Sequence, residues 1–125
     1  MAAHNEIGQQ GEDLACGYLE AKGYQIWDRN YRVEKAEIDI IAFNGTELHF
    51  VEVKTRSNTS LNAPEESITK KKKDDLAKAG SFYLFERQLL NFPAVFDVIA
   101  IGMDNPEHPM IKHIEDAFRP GKSIF

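Results

Sequence analysis

The feature that most constrains the fold is a pair of strand-like runs joined at Asn44-Gly45. The runs cover residues 37–43 and 47–54, and both are rich in β-branched and aromatic residues. Asn-Gly between two such runs is the strongest short-range signal for a β-hairpin. The sequence therefore predicts an antiparallel hairpin near the middle of the chain.

The register of this hairpin decides which side chains share a face. A two-residue turn at Asn44-Gly45 would pair Phe43 with Thr46 and place Asp39 opposite Phe50. Because side chains alternate along a strand, one face would be largely apolar, with Ile38, Ile40, Ala42, His49, Val51 and Val53. The other face would carry Glu37, Asp39, Ile41, Leu48, Phe50, Glu52 and Lys54. Any connection with an even number of residues divides the side chains between the two faces in the same way.

Three charged residues on the second face form a candidate site. Asp39 and Glu52 would be diagonal neighbours, with Lys54 one step further along the same strand face. Neighbouring carboxylates destabilise a sheet unless a positive charge lies between them, and Mg²⁺ or Mn²⁺ prefers oxygen ligands. Two carboxylates, a divalent ion and a lysine can hydrolyse phosphodiesters. The alternative is an exposed hairpin face with ordinary surface charges.

Periodicity predicts further elements before and after the hairpin. Residues 5–22 have apolar positions at helical spacing, and Gly23 follows where a helix commonly ends. Residues 24–33 indicate a strand, with a bend near Asp28-Arg29-Asn30. A loop at 57–63 leads to Pro64, which favours the first turn of a helix extending to about residue 87. Its apolar side would comprise Ile68, Leu76, Ala79, Tyr83 and Leu90.

The last third of the chain predicts a buried strand at 94–102 and a short final element at 110–118. The element order is then α-β-β-β-α-β, which indicates an α/β or α+β layer architecture. A length of 125 residues suits one domain. We expect that domain to span 1–118, with 119–125 as a flexible C-terminal tail.

Composition narrows the location and class of the protein. Cys16 is the single cysteine, which excludes an intramolecular disulfide and a cysteine-rich zinc site. The first ten residues lack the basic and apolar regions of a signal peptide, and no apolar run approaches the roughly 20 residues of a membrane span. These features predict a cytoplasmic protein that does not enter a membrane.

The charge pattern limits how the chain could bind a polyanion. The net charge is −5, so any contact with nucleic acid must come from a local basic surface. One stretch is rich in basic residues: Lys54, Arg56, Lys70, Lys71, Lys72, Lys73 and Lys78. Its acids are Glu65, Glu66, Asp74 and Asp75. The stretch is either a nucleic-acid-binding surface or a solvated helix face.

Several polar and aromatic residues outside the hairpin site have structural interpretations that compete with functional ones. His49 lies on the apolar hairpin face, which favours a hydrogen-bonded core histidine. Asp97 interrupts an apolar strand and would need a buried partner, with a structural role favoured over a site role. Tyr24, Trp27 and Tyr31 could stack on bases, although packing in the core is favoured.

A wider set of motifs resembles the YraN family and extends from about residue 5 to residue 118. The hairpin itself, Asp39 followed by Glu52-Val-Lys54, is similar to the Asp…(Asp/Glu)-x-Lys signature of restriction-endonuclease-like proteins. The other matching motifs are Gly11-Glu-Asp-Leu-Ala15, Gly23-Tyr24, Arg29-Asn-Tyr-Arg32, Glu37-Ile-Asp-Ile-Ile-Ala42, Phe50-Val-Glu-Val-Lys-Thr-Arg56, Phe96-Asp-Val-Ile99 and Asp116-Ala-Phe118.

This resemblance implies an α/β fold with a restriction-endonuclease-like three-layer core and a mixed central sheet. It also implies a predicted nuclease, similar in its first helix and hairpin to archaeal Holliday junction resolvases. By analogy, Asp39 and Glu52 would be metal ligands and Lys54 the catalytic lysine. Glu12 in the first helix would be a further metal ligand. Arg56 and Lys72 would contact phosphate, and Glu37 would be a nearby acid.

Two functions remain open at this level. The first is a Mg²⁺- or Mn²⁺-dependent endonuclease acting on DNA, including branched or single-stranded forms. The second is a non-catalytic adaptor that keeps the nuclease fold and binds nucleic acid. A homodimer would suit a two-fold symmetric junction, although no sequence feature defines its interface.

Overall fold

The computed structural model describes residues 2–58 and 61–119. The elements are α1 (Ala2–Ala21), β1 (Gln25–Val33), β2 (Ala36–Phe43), β3 (Leu48–Arg56), α2 (Lys70–Glu86), β4 (Ala94–Gly102) and β5 (Met110–Phe118). Each predicted helix and strand is present, and the final element is a full nine-residue strand. The expected tail at 119–125 lies, apart from Arg119, outside the described residues.

The five strands form one mixed sheet in the order β1-β2-β3-β4-β5. Only β3 and β4 run parallel, and the chain between them contains α2. The other neighbours are antiparallel. Helix α1 packs on one side of the sheet and α2 on the other, which gives the predicted three-layer α/β core of the restriction-endonuclease-like type.

Two buried clusters separate the layers. The cluster under α1 contains Ala15, Cys16, Leu19, Tyr24, Ile40, Ala42, Val51, Ile99 and Ile101. The cluster under α2 contains Ala36, Ile38, Ile41, Leu48, Phe50, Ile68, Leu76, Ala79, Tyr83, Val98 and Phe118. Tyr31 and Trp27 pack against the second cluster. Tyr24, Trp27 and Tyr31 therefore pack in or against the core, which is the interpretation that the sequence favoured.

Helix α1 ends as the sequence predicts. Gly23 has a φ of +94°, and its N–H donates to the carbonyl of Glu20. A left-handed residue at this place closes the helix at low steric cost when it is glycine. Ile7, one of the apolar residues at helical spacing in the predicted 5–22 helix, is 57% exposed rather than buried in the core. Within the described chain, neither helix is long and apolar enough to cross a membrane.

The hairpin is confirmed, but its two-residue turn is wrong. Phe43 pairs with Leu48, so the connection has four residues rather than two. The side chain of Asn44 explains the longer turn, because its Oδ1 accepts hydrogen bonds from the N–H groups of Thr46 and Glu47, both at 2.9 Å. Asparagine bonding to the backbone two residues ahead favours such a turn. The connection is still even-numbered, which preserves the predicted faces.

One residue departs from those faces. Ile40 belongs to the cluster under α1, whereas Ile38 belongs to the cluster under α2 with Ile41. Regular alternation would have kept Ile38 with Ile40. The β2–β3 pairing ends at Ile40 and Val51. Strand β2 is therefore irregular at Asp39, between the two isoleucines.

The predicted helix from Pro64 is divided in two. Pro64–Ser67 form a 3-10 turn, Ile68 is extended, and α2 begins only at Lys70. The hydroxyl of Thr69 accepts a hydrogen bond from the N–H of Lys72, which caps the new helix. The break lets Ile68 enter the core, where it is 5% exposed. Leu90, expected on this helix, lies beyond its end and is 47% exposed.

His49 and Asp97 form a buried polar centre with His113. One carboxylate oxygen of Asp97 lies 2.6 Å from Nδ1 of His49 and 2.7 Å from Nε2 of His113. Its other oxygen accepts from the N–H of Asp116. Burial opposes the charged carboxylate, but these hydrogen bonds hold the pKa of Asp97 below its usual value. The structural interpretation of His49 and Asp97 agrees with these contacts.

Candidate functional site

Four predicted site residues, Glu12, Asp39, Glu52 and Lys72, meet in a cleft between α1 and the ends of β2 and β3. The cleft has a volume of about 790 Å³. Its walls include four acids from three elements together with a lysine from α2: Glu12, Glu37, Asp39, Glu52 and Lys72. Asp39 and Glu52 therefore face the same space, as the hairpin faces predict.

Asp39 lies where the β2–β3 pairing ends. Its carboxylate accepts a hydrogen bond from the backbone N–H of Val53 at 2.8 Å. Burial and the negative charge of Glu52 raise the pKa of Asp39 to about 8, and the Val53 bond only partly offsets them. Glu12 and Glu37 raise it further. Burial and the neighbouring acids thus favour the protonated form of Asp39 below about pH 8.

Glu52 is buried beside two lysines. Its Oε2 lies 3.9 Å from Nζ of Lys54 and 3.6 Å from Nζ of Lys72. Lys54 comes from the same strand face two residues away, whereas Lys72 comes from the first turn of α2. The side chain of Glu52 is only 9% exposed. Two ammonium groups therefore stabilise this buried carboxylate, each at a distance longer than a direct hydrogen bond.

Glu12 reaches the cleft from α1 and is held by β1. Its Oε1 accepts a hydrogen bond from Nδ2 of Asn30 at 2.9 Å. The guanidinium of Arg29 lies 3.6 Å from the same oxygen and 2.8 Å from Asp13. The side chain of Glu12 is 16% exposed. Glu12 therefore lines the cleft, and its carboxylate accepts a hydrogen bond from β1, the edge strand of the sheet.

Close packing of α1 on β3 brings Glu12 near the hairpin. Gly11 precedes it, and a Cβ at Gly11 would overlap the hydroxyl of Thr55. Only glycine allows the helix backbone to approach that strand so closely. Thr55 itself lines the cleft. Gly11 thus allows α1 to pack closely on β3, and the next residue, Glu12, faces the cleft.

A profile of the uncharacterised protein family UPF0102 matches residues 11–101 of the chain. That segment is about three quarters of the sequence. The chain belongs to the UPF0102 family. This agrees with the resemblance to the YraN family, which is the same family.

Individual UPF0102 relatives match almost end to end. The UPF0102 protein of Geobacter sulfurreducens is 45% identical over 116 residues, covering 92% of this chain and 91% of that protein. The relative from Geotalea uraniireducens is 43% identical over 117 residues, covering 94% and 92%. The relative from Christiangramia forsetii is 45% identical over 118 residues, covering 94% and 98%.

The segment matched by the UPF0102 profile contains every candidate site residue, from Glu12 to Lys72. Two of them do not line the cleft. Arg56 is exposed at the end of β3, and Lys54 is connected to the cleft only through Glu52, 3.9 Å from its Nζ. The cleft residues that were not assigned from the sequence are Ile7, Gly8, Gln9, Asn30, Arg32, Val53 and Thr55. Asn30, Arg32, Val53 and Thr55 belong to motifs that carry the family resemblance, and that was the available signal.

The donor atoms in the cleft are of the chemical type that a hard divalent ion prefers. The cleft-lining acids and Thr55 offer only oxygen, the element that Mg²⁺ and Mn²⁺ prefer. Among residues 2–58 and 61–119, however, no three acidic, histidine or cysteine side chains are grouped so as to surround an ion. Glu12 and Glu52 instead have protein partners. Binding an ion would require these carboxylates to exchange those partners.

Proposed function

We propose that this UPF0102 protein is a Mg²⁺- or Mn²⁺-dependent endonuclease that hydrolyses phosphodiester bonds in DNA. The observation that carries the proposal is that Asp39 and Glu52 line one cleft together with Glu12, while Nζ of Lys54 lies 3.9 Å from Oε2 of Glu52. Acids and a lysine in this pattern resemble the nuclease signature. The raised pKa of Asp39 supports the proposal, because strongly perturbed groups cluster at functional sites.

Asp39 and Glu52 would hold the ion, with Glu12 as a further ligand from the opposite wall. A bound divalent ion stabilises charge on a phosphoryl oxygen and lowers the pKa of water. Asp39 is fixed in place by the N–H of Val53, so its orientation does not depend on a mobile partner. A rigid ligand on a strand suits a site that must hold its geometry.

Lys54 and Lys72 would serve the substrate. Both ammonium groups now lie near Glu52, and a phosphate carries the same sign of charge as that carboxylate. A phosphate entering the cleft therefore competes with Glu52 for them. Lys54, 18% exposed, would stabilise negative charge that develops on the phosphoryl group. Lys72, 40% exposed, would meet the incoming backbone first.

A local basic surface would draw nucleic acid to the cleft despite the net charge of −5. Four consecutive lysines open α2, where the helix dipole is also positive. Two of them, Lys70 and Lys71, are highly exposed and paired only with Asp74 and Asp75 on the same helix. Such exposed pairs are weak, so phosphate can replace them. Arg56 would add a contact beyond the cleft.

The proposal is tested by incubating the protein with supercoiled, single-stranded and four-way-junction DNA, in Mn²⁺ or EDTA. We expect cutting only with Mn²⁺, reduced at least about a hundredfold in Glu52→Gln and in Lys54→Ala. Lys35→Ala and Glu107→Gln, at exposed turn positions, are matched controls that should cut normally. The three DNA forms also report the preferred substrate.

Two outcomes would reject the endonuclease. Binding of DNA by all variants without any cutting would favour the non-catalytic adaptor. Cutting that persists in both Glu52→Gln and Lys54→Ala would mean that the activity does not come from this cleft.

A further inference from the structure

Asn30 has a backbone that is unusual for a strand. It lies within β1 between two regularly paired neighbours, Arg29 opposite Ile40 and Tyr31 opposite Ile38. Its φ is nevertheless +52°, in the left-handed region. Outside glycine, asparagine adopts this region most readily, yet it still costs roughly 1 kcal/mol. Strained backbone conformations persist when the surrounding structure holds them, and they are common at functional sites, where they position side chains.

The left-handed backbone changes where two side chains point. Consecutive residues of a regular strand point to opposite faces of the sheet. Arg29 and Asn30 instead both contact α1: Arg29 reaches Asp13 at 2.8 Å, and Asn30 reaches Glu12 at 2.9 Å. The irregularity of β1 at Asn30 thus directs both donors toward the same helix.

Asn30 also lies beside the centre of the cleft. In the register of β1 and β2 it falls opposite Asp39, and its side chain lines the same cleft. An ionised carboxylate only accepts hydrogen bonds, which sets the amide NH₂ of Asn30 toward Glu12. Asn30 donates to Oε1 of Glu12 and the guanidinium of Arg29 lies 3.6 Å from the same oxygen, so neither residue occupies Oε2.

We infer that Asn30 is a positioning residue for Glu12, holding that carboxylate over the cleft where a divalent ion would be shared with Asp39 and Glu52. The inference rests on the proposed function, since it needs an ion in the cleft. Residues that orient metal ligands through hydrogen bonds commonly change metal affinity by about 10- to 100-fold when removed. Neither the family resemblance nor the hairpin pattern assigns this role to Asn30.

The test measures Mn²⁺ affinity by calorimetry in Asn30→Gly, Glu12→Gln and the double variant. Glycine keeps the left-handed backbone and removes only the amide. We expect Asn30→Gly to weaken Mn²⁺ binding about tenfold and to have no further effect when Glu12 is already glutamine. Gln88→Gly is the matched control, because Gln88 is another left-handed residue, with φ +60°, remote from the cleft. It should bind Mn²⁺ normally.

Thermal unfolding in EDTA checks that each variant folds. Equal losses of affinity for Asn30→Gly with and without Glu12 would overturn the inference, because Asn30 would then act independently of that acid. Unchanged affinity in either Asn30→Gly or Glu12→Gln, with binding still abolished by Asp39→Asn, would also overturn it and leave the proposed function intact. Absence of Mn²⁺ binding by the unaltered protein would reject the proposed function, and the inference with it.

Discussion

The carboxylate of Asp39 accepts a hydrogen bond from the backbone N–H of Val53 at 2.8 Å, just beyond the last paired residues of β2 and β3. A side chain thus satisfies a backbone donor at the point where the ladder between the strands stops. The arrangement keeps an acid at the end of a buried hairpin, close to Glu52. Its charge has consequences for both stability and ion binding.

Asp39 should make the protein less stable as pH rises. Its pKa is raised from 3.8 to about 8 on folding, so between these values the folded protein holds a proton that the unfolded chain releases. Raising the pH across this range therefore favours unfolding, by at most about 1.4 kcal/mol per pH unit from this group. This is the reverse of the usual behaviour of a salt-bridged aspartate.

Denaturant unfolding in EDTA between pH 5 and pH 8 measures this effect. The stability of Asp39→Asn relative to the unaltered protein should increase with pH, because the variant lacks the group that becomes charged. Titrating groups that do not interact with Asp39 are common to both proteins and cancel in the difference. A difference that stays constant over this range would contradict the raised pKa.

Lys72→Met should change two affinities in opposite directions. Removing the ammonium 3.6 Å from Glu52 frees that carboxylate for an ion, so Mn²⁺ affinity should rise by about fivefold or less. DNA affinity should fall, with a salt dependence weaker by about one phosphate contact. Calorimetry and fluorescence anisotropy at several salt concentrations measure the two.

Lys71→Met provides the comparison for this variant. Lys71 lies in the same turn of α2 but pairs with Asp75 rather than with Glu52. Its removal should weaken DNA binding without improving Mn²⁺ binding. If Lys72→Met weakened both affinities, the proposed competition between Glu52 and phosphate for Lys72 would be wrong.

Gly11→Ala should stabilise the protein only when Thr55 is also changed. Alanine is favoured over glycine inside a helix by about 1 kcal/mol. The new Cβ overlaps the Thr55 hydroxyl, so this gain is lost unless Thr55→Ala removes the obstacle. Denaturant unfolding of the four proteins in this cycle measures the coupling. Equal effects of Gly11→Ala in both backgrounds would show that α1 does not approach β3 this closely.

Asp97→Asn should lower the pKa of His49. Burial disfavours the charged imidazole, but the hydrogen bond and charge of Asp97 outweigh burial and raise the pKa of His49 above 6.5. Protonation of His49 therefore stabilises the folded protein below pH 6.5, and this stabilisation is lost as the pH rises through the raised pKa. NMR titration of the imidazole checks this, with the exposed His108 as an internal reference. An unchanged pKa of His49 would show that Asp97 is not the group that raises it.

Local patterns were sufficient for most of the architecture. The alternating runs around Asn44-Gly45, the glycine after α1 and the apolar 94–102 segment each depend on neighbours in the chain, so their structures are predictable from sequence. The turn length was wrong because Asn44 bonds to two N–H groups ahead of it, which the two-residue rule does not consider. The helix from Pro64 was wrong because Ile68 is buried in the core before α2 begins.

By itself, the sequence determined the hairpin and predicted that Asp39, Glu52 and Lys54 share one face, because any even-numbered turn gives that result. Tertiary structure decided what surrounds them. Glu12 and Lys72 come from helices on different layers, and only packing across the sheet brings both to one cleft. The left-handed Asn30 lies in the predicted bend of β1, but its hydrogen bond to Glu12 and the bond from Val53 to Asp39 join residues of different elements. Such contacts have no local periodicity, which is why the sequence pattern did not predict them.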